Sequence, residues 1–132
     1  MMRYGFAGFF LSLLLLGACS GKADPEVEGE AYLNRARVAL EQKRFADAKQ
    51  EVLNLRQEVP TAINSREMGI ILMDSIDLMQ AQEDLRVADS SVLATPKDRV
   101  SNDQKVRREE ATQRVRFFSL KLEHDLNNLT RH

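Results

Sequence analysis

Backbone-breaking residues almost vanish after the first thirty positions of this 132-residue chain. From Glu30 onward Gly69 is the only glycine, and Pro60 and Pro96 are the only prolines. Ala, Leu, Glu, Arg and Gln, which lose little on entering a helix, dominate what lies between. Uninterrupted stretches this long, with no period-two alternation of apolar and polar residues, leave little room for turns between strands. The expected fold class is all-α.

Four helices follow from the spacing of apolar side chains. The first, about Gly29 to Gln42, places Tyr32, Ala36 and Ala39 on one face with Leu33 and Leu40 beside them. The second, about Phe45 to Val59, carries Phe45, Ala48, Val52, Leu55 and Val59 at steps of three and four, and Pro60 ends it. The third, about Thr61 to Ser90, has Thr61 as its expected N-cap. It is apolar nearly all round at Ile70, Ile71, Leu72 and Met73, so its start is expected to be buried. Further on, Ile71, Leu78, Leu85 and Val92 recur every seven residues, with Ala81 and Ala88 between them.

The fourth helix is expected to begin near Pro96, with Thr95 as N-cap and Asp98 near the positive helix end. Ser101-Asn102-Asp103 is a second place where that helix could break. Ala111, Val115, Phe118, Leu122, Leu126 and Leu129 form its apolar seam. The short connection near Val92 to Pro96 predicts that helices three and four pack antiparallel. Asp103 with Arg107 and Glu110 with Arg114 are spaced for ion pairs along that helix.

Ahead of the helices lies a different kind of sequence. Arg3 is followed by an uncharged, mainly apolar run from Tyr4 to Ala18, short for a membrane span of roughly 20 residues but suited to a secretory signal. Leu16-Gly17-Ala18-Cys19 closes it with a branched residue, two small residues and the only cysteine of the chain. These four residues resemble the bacterial lipobox. The resemblance implies cleavage between Ala18 and Cys19, diacylglyceryl transfer to the Cys19 sulfur, and a Gram-negative envelope lipoprotein. Ser20 after the cysteine resembles the outer-membrane default, and the lack of an acidic export run implies a periplasm-facing position. The expected organisation is a signal peptide over residues 1–18, a tether over 19–28, a helix-turn-helix over 29–60 and a long hairpin over 61–132.

Residues 29–60 resemble a tetratricopeptide repeat, the helix-turn-helix unit of about 34 residues. Tyr32 falls on its large aromatic position, Ala36 and Ala48 on the small positions, Phe45 on the aromatic at the turn, Val52 and Leu55 on packing positions, and Pro60 on the terminal proline. Arg35 stands where a leucine is common, and Lys43 replaces the usual turn glycine. Small Ala36 and Ala48 allow two helices to approach closely. A lone repeat cannot bury its own face, so the third helix is expected to cover it. Val59-Pro60-Thr61-Ala62, Arg66, Gly69-Ile70, Leu72 and Ile76 are also similar to a group of Gram-negative envelope lipoproteins with a repeat-like hairpin and a coiled-coil continuation, a group that implies no established activity.

Function classes narrow by what the residues lack. Without Arg3 the chain carries 18 basic and 20 acidic side chains, which offers no basic surplus for nucleic acid. With Cys19 acylated there is no disulfide. His124 sits between Glu123 and Asp125, but the only other histidine is the terminal His132, so no metal site is expected. No glycine-rich phosphate loop exists, and Ser90 and Ser91 have no histidine partner. Asp74, Asp77, Glu83 and Asp84 share one helix and read as a solvated face rather than as paired catalytic acids. Met68, Met73 and Met79 read as core filler.

Lys105, Arg107, Arg108, Arg114 and Arg116, interrupted by Glu109 and Glu110, read as a charged coiled-coil flank; contact with anionic lipid head groups or an acidic partner is the functional alternative. No enzyme and no cofactor are expected. The expected role is a membrane-anchored helical interaction module or scaffold that binds an envelope protein. The alternative is a lipid-anchored spacer or oligomer that self-associates through helices three and four.

Overall fold

The computed structural model describes Gly21 and residues 23–131. The elements are α1 (Pro25–Glu41), α2 (Phe45–Glu58), α3 (Ile63–Leu93), a single 3-10 turn (Lys97–Arg99) and α4 (Asn102–Leu129). The fold is all-α, with no strand among the described residues. None of the described helices is long and apolar enough to cross a membrane.

α1 begins four residues before its expected start at Gly29. Asp24 accepts a hydrogen bond from the Glu26 N–H at 2.9 Å and Pro25 takes the first helical position. Pro25 to Glu28, expected in the tether, are therefore helical; a cap followed by proline outweighs the glycine at position 29. α1 ends in a left-handed turn. Lys43 has φ 57°, its N–H donates to the Leu40 carbonyl, and the Arg44 N–H donates to the Ala39 carbonyl. This crossed pair satisfies carbonyls that a helix end leaves open. It also explains why the position suits glycine, the residue that pays least for positive φ.

α2 packs back on α1, and α3 covers both. One buried cluster joins Ala36, Ala39 and Leu40 of α1 to Ala48 and Val52 of α2 and Ile76 of α3, with Phe45, Leu72 and Met73 against it. A second joins Leu33, Leu55, Val59 and Ala62, with Tyr32 and Leu72. Gly69 fits between these layers, since a Cβ there would lie 3.2 Å from Leu55 Cδ2.

The start of α3 departs from expectation. Thr61 does not cap it. Ala62 occupies the cap position with no side-chain bond, and the cap comes from α1 instead. The Glu26 carboxylate accepts from the N–H groups of Asn64 (3.0 Å) and Ser65 (2.9 Å) and from the Ser65 hydroxyl (2.8 Å). These bonds hold the Glu26 carboxyl below its usual range, with the Ser65 hydroxyl the main cause. Gly29 lets the two helices meet there: a Cβ on it would lie 2.6 Å from Ser65 Cβ.

α4 starts at Asn102, not near Pro96. Pro96 is extended, Lys97–Arg99 make one tight turn, and Ser101 caps α4 in a reciprocal box with Gln104. The Gln104 N–H donates to Ser101 Oγ at 3.2 Å, and the Ser101 N–H donates to Gln104 Oε1 at 3.0 Å. Thr95 stays with α3, its hydroxyl donating to the Ser91 carbonyl. Gln104 Nε2 reaches back to the Ser91 and Thr95 hydroxyls and closes the hairpin tip.

α3 and α4 are antiparallel, as the matched pairs Asp89–Arg108, Asp84–Arg114 and Asp74–Lys121 require. Ile71, Leu78, Leu85 and Val92 on α3 and Val115, Phe118, Leu122 and Leu129 on α4 are half-buried. Leu126 is not part of the seam: it is 45% exposed. The seam steps 111, 115, 118, 122, 125, 129, so Asp125 takes the inward position and Leu126 turns outward.

Candidate functional site

Leu16, Gly17, Ala18 and Cys19, the expected lipidation and cleavage residues, lie outside the described residues. Within the described residues, two places combine unusual chemistry with accessible surface, and both lie along α3.

The first is a polar knot inside the α3–α4 seam. The Asp74 side chain is 3% exposed and its Oδ1 accepts a hydrogen bond from the Lys121 ammonium. Lys121 also donates to Asp125 Oδ2 at 3.0 Å, and the other Asp125 oxygen meets His124 Nδ1 at 2.8 Å. Asp74 Oδ2 is buried with no hydrogen-bond partner. Burial pushes the Asp74 carboxyl above its ordinary range, against the pull of Lys121. Asp125, bonded to His124 and Lys121, is held well below it. Lys121 is raised, chiefly by its bond to Asp74.

Asp74 was expected on a solvated face with Asp77, Glu83 and Asp84. None of the four is free. Asp77 pairs with Lys49 at 2.7 Å and Asp84 with Arg114 at 2.9 Å. Glu83 pairs with both Arg86 and Lys43, which lower its carboxyl to about 2, Arg86 being the larger cause. These carboxylates fasten α3 to its neighbours rather than converge on a cleft. No group of three or more His, Cys, Asp or Glu side chains is arranged to hold a metal ion among the described residues.

The basic stretch of α4 is divided in the same way. Arg108 binds Asp89 at 2.6 Å, Arg114 binds Asp84, and Arg107 binds Asp103 at 2.9 Å. The expected Glu110–Arg114 pair is replaced by the cross-helix one, because Arg114 reaches Asp84 on α3. Of the methionines, Met73 packs on the core, but Met68 and Met79 are 45% and 39% exposed and are not filler.

The second place is a trough at the base of the hairpin. One depression of about 410 Å³ is lined by Arg56, Ile63, Arg66, Glu67 and Ile70. A neighbouring one of about 310 Å³ is lined by Glu67, Ile70, Ile71, Asp125, Asn128 and Leu129. Glu67 and Ile70 belong to both, so the trough runs from the end of α2 across α3 to the end of α4. Ile70, in the apolar stretch expected to be buried, is 43% exposed, and Ile63 is 55% exposed. The reason is length: α4 runs out beside Glu67, leaving the first turns of α3 uncovered on that face.

No family model, curated protein or solved structure matches this chain. Sequence reasoning did not find Glu26, Gly29 or Lys121. The Asp24-Pro25 start could have flagged the early helix, and the step of seven from Asp74 to Ala81 and Ala88 could have placed Asp74 in the seam.

Proposed function

We propose that this chain is a Gram-negative envelope lipoprotein, acylated at Cys19 on the outer membrane and facing the periplasm, whose helical domain is a non-catalytic interaction module or scaffold. The observation that carries the reading is Leu16-Gly17-Ala18-Cys19 at the end of an uncharged run, with a folded helical domain beginning at Pro25. Asp74, Asp77, Glu83 and Asp84 of α3 lie in ion pairs rather than around a cleft, which supports a binding role over catalysis.

The tetratricopeptide-like reading of α1 and α2 belongs to the same proposal. It is supported by Ala36 and Ala48, both fully buried where the helices meet, and by Phe45 packed beside them. Such a module recognises an envelope protein through its surface, and confinement by lipid raises the effective concentration of that surface without new contacts. Labelling cells with an alkyne fatty acid tests the anchor. Label should appear on the wild-type chain and vanish with Cys19→Ser; equal label on both would refute it.

The spacer or oligomer reading is favoured by one observation. The outward face of α4 carries exposed Val106, Phe117 and Leu120, whereas the α3–α4 seam is already filled within the chain. Self-association would use that outward face. A concentration-independent monomer, measured on the chain without residues 1–19, removes this reading.

A further inference from the structure

The chain leaves little slack between the proposed anchor and the folded domain. Ser20 to Asp24 are five residues, and even fully extended they reach no more than about 18 Å. α1 therefore holds its first turn close to any bilayer in which Cys19 is anchored. That turn is bound to the start of α3 by Glu26, at 2.9 Å from the Ser65 N–H. The antiparallel arrangement brings the end of α2 and the end of α4 to the same level. One end of the domain, and only that end, is tied down by the short tether.

This end is chemically distinct. Val27 in the first turn of α1 is 69% exposed, and the uncovered first turns of α3 present Ile63 and Ile70. Arg56 and Arg66 stand beside Ile63, with Glu67 the one carboxylate lining the same depression. Exposed aliphatic side chains next to guanidinium groups match an interface of acyl chain and phosphate. In the basic stretch of α4, Arg107, Arg108 and Arg114 bind Asp103, Asp89 and Asp84, and these pairs lie farther up the hairpin from the tether.

We propose that the base of the domain docks on the phospholipid bilayer, with Val27 and Ile63 in the interface and Arg56 and Arg66 at the phosphates. The inference rests on acylation of Cys19. Docking at the base sets the α3–α4 hairpin outward from the membrane, since α3 spans 31 residues, about 45 Å.

The chain contains no tryptophan, so a single one reports position without background. Ile63→Trp marks the base, and Leu93→Trp, at a site 85% exposed, marks the far tip. Each full-length, acylated variant is purified from membranes and placed in phosphatidylethanolamine–phosphatidylglycerol vesicles carrying brominated acyl chains. The Ile63→Trp variant should lose most of its emission to bromine and the Leu93→Trp variant almost none. Adding Arg56→Glu and Arg66→Glu to Ile63→Trp should restore emission.

An unquenched Ile63→Trp variant that still floats with the vesicles overturns docking and leaves the anchor intact. A blue-shifted but unquenched emission overturns it in favour of a second copy covering the trough. Equal quenching at both sites overturns it in favour of a domain lying flat. Absence of fatty-acid label on Cys19 overturns anchor and docking together.

Discussion

Asp74 and Lys121 form a pair whose two halves should respond oppositely to removal. The Asp74 carboxylate is almost wholly buried and one of its oxygens has no partner, so ionising it inside the seam is costly. Lys121 is 41% exposed and retains Asp125 at 3.0 Å if Asp74 is lost. Asp74→Leu therefore removes a desolvation cost without stranding a charge. Its expected effect at pH 7 lies between neutral and about 2 kcal/mol of added stability. Lys121→Met strands the buried carboxylate. Breaking a buried pair costs about 3–5 kcal/mol, and solvent access at Lys121 brings the expectation to about 2–3 kcal/mol.

Urea melts of the chain beginning at Ser20 would measure both, with unchanged m-values as the condition for comparing midpoints. The pH dependence follows from the direction of the Asp74 shift. Its pKa is raised in the folded state, so it contributes stability below its unfolded value near 4, and that contribution is lost as pH rises through the folded value. The advantage of Asp74→Leu should thus be greatest at neutral pH and shrink toward pH 4. Asp125 works the other way, because its lowered pKa gives stability above the ordinary carboxylate range that is lost on acidification. A loss above about 1 kcal/mol for Asp74→Leu at pH 7, with Lys121→Met neutral, would refute this account of the seam.

Three substitutions probe the rest of the packing. Gly29→Ala adds a methyl 2.6 Å from Ser65 Cβ and should lower stability by about 1–3 kcal/mol despite the better helix propensity of alanine; an equal or higher melting midpoint would mean α1 and α3 are not so close. Ala48→Leu should cost about 1–3 kcal/mol at the α1–α2 contact, whereas exposed Gln50→Ala stays within about 0.5 kcal/mol; similar urea midpoints would remove Ala48 from that contact. Lys43→Gly relieves a φ of 57° and should raise stability by up to about 1 kcal/mol in thermal melts; a loss would show that the surface pair with Glu83 outweighs the strain.

What the sequence revealed was local, and what it hid was relational. The α2 stripe from Phe45 to Val59 could be read because its spacing, Ala48 and Pro60 all act within one helix. Lys43 could be recognised as standing at a glycine position for the same reason. The beginning of α4 was misplaced because Thr95-Pro96 and Ser101-to-Gln104 both satisfy local capping rules. Tertiary bonds decide between them, since Gln104 also closes the tip onto Ser91. The cap of α3 could not be read at all: Glu26 lies 39 residues from Ser65. Likewise the apolar run Ile70 to Met73 promised burial all round, but exposure at Ile70 depends on where α4 ends. The charge of Asp74 suggested a solvated surface, and only the register of α3 against α4 buries it.

The domain is unevenly built along its length. Both buried clusters draw only on positions 33 to 76, where α1, α2 and α3 form three layers. Beyond Ala81 there are two helices, and Ala111 is the only buried residue of α4. Asp84–Arg114 and Asp89–Arg108 hold that outer arm with solvent-exposed partners, a kind of pair worth at most about 1 kcal/mol. Hydrogen bonds of Gln104 fasten its tip. Local opening follows contact density, so the outer arm separates at lower free energy than the three-layer base. With the base docked as proposed, the stable part of the chain sits at the membrane and the more easily opened arm projects away.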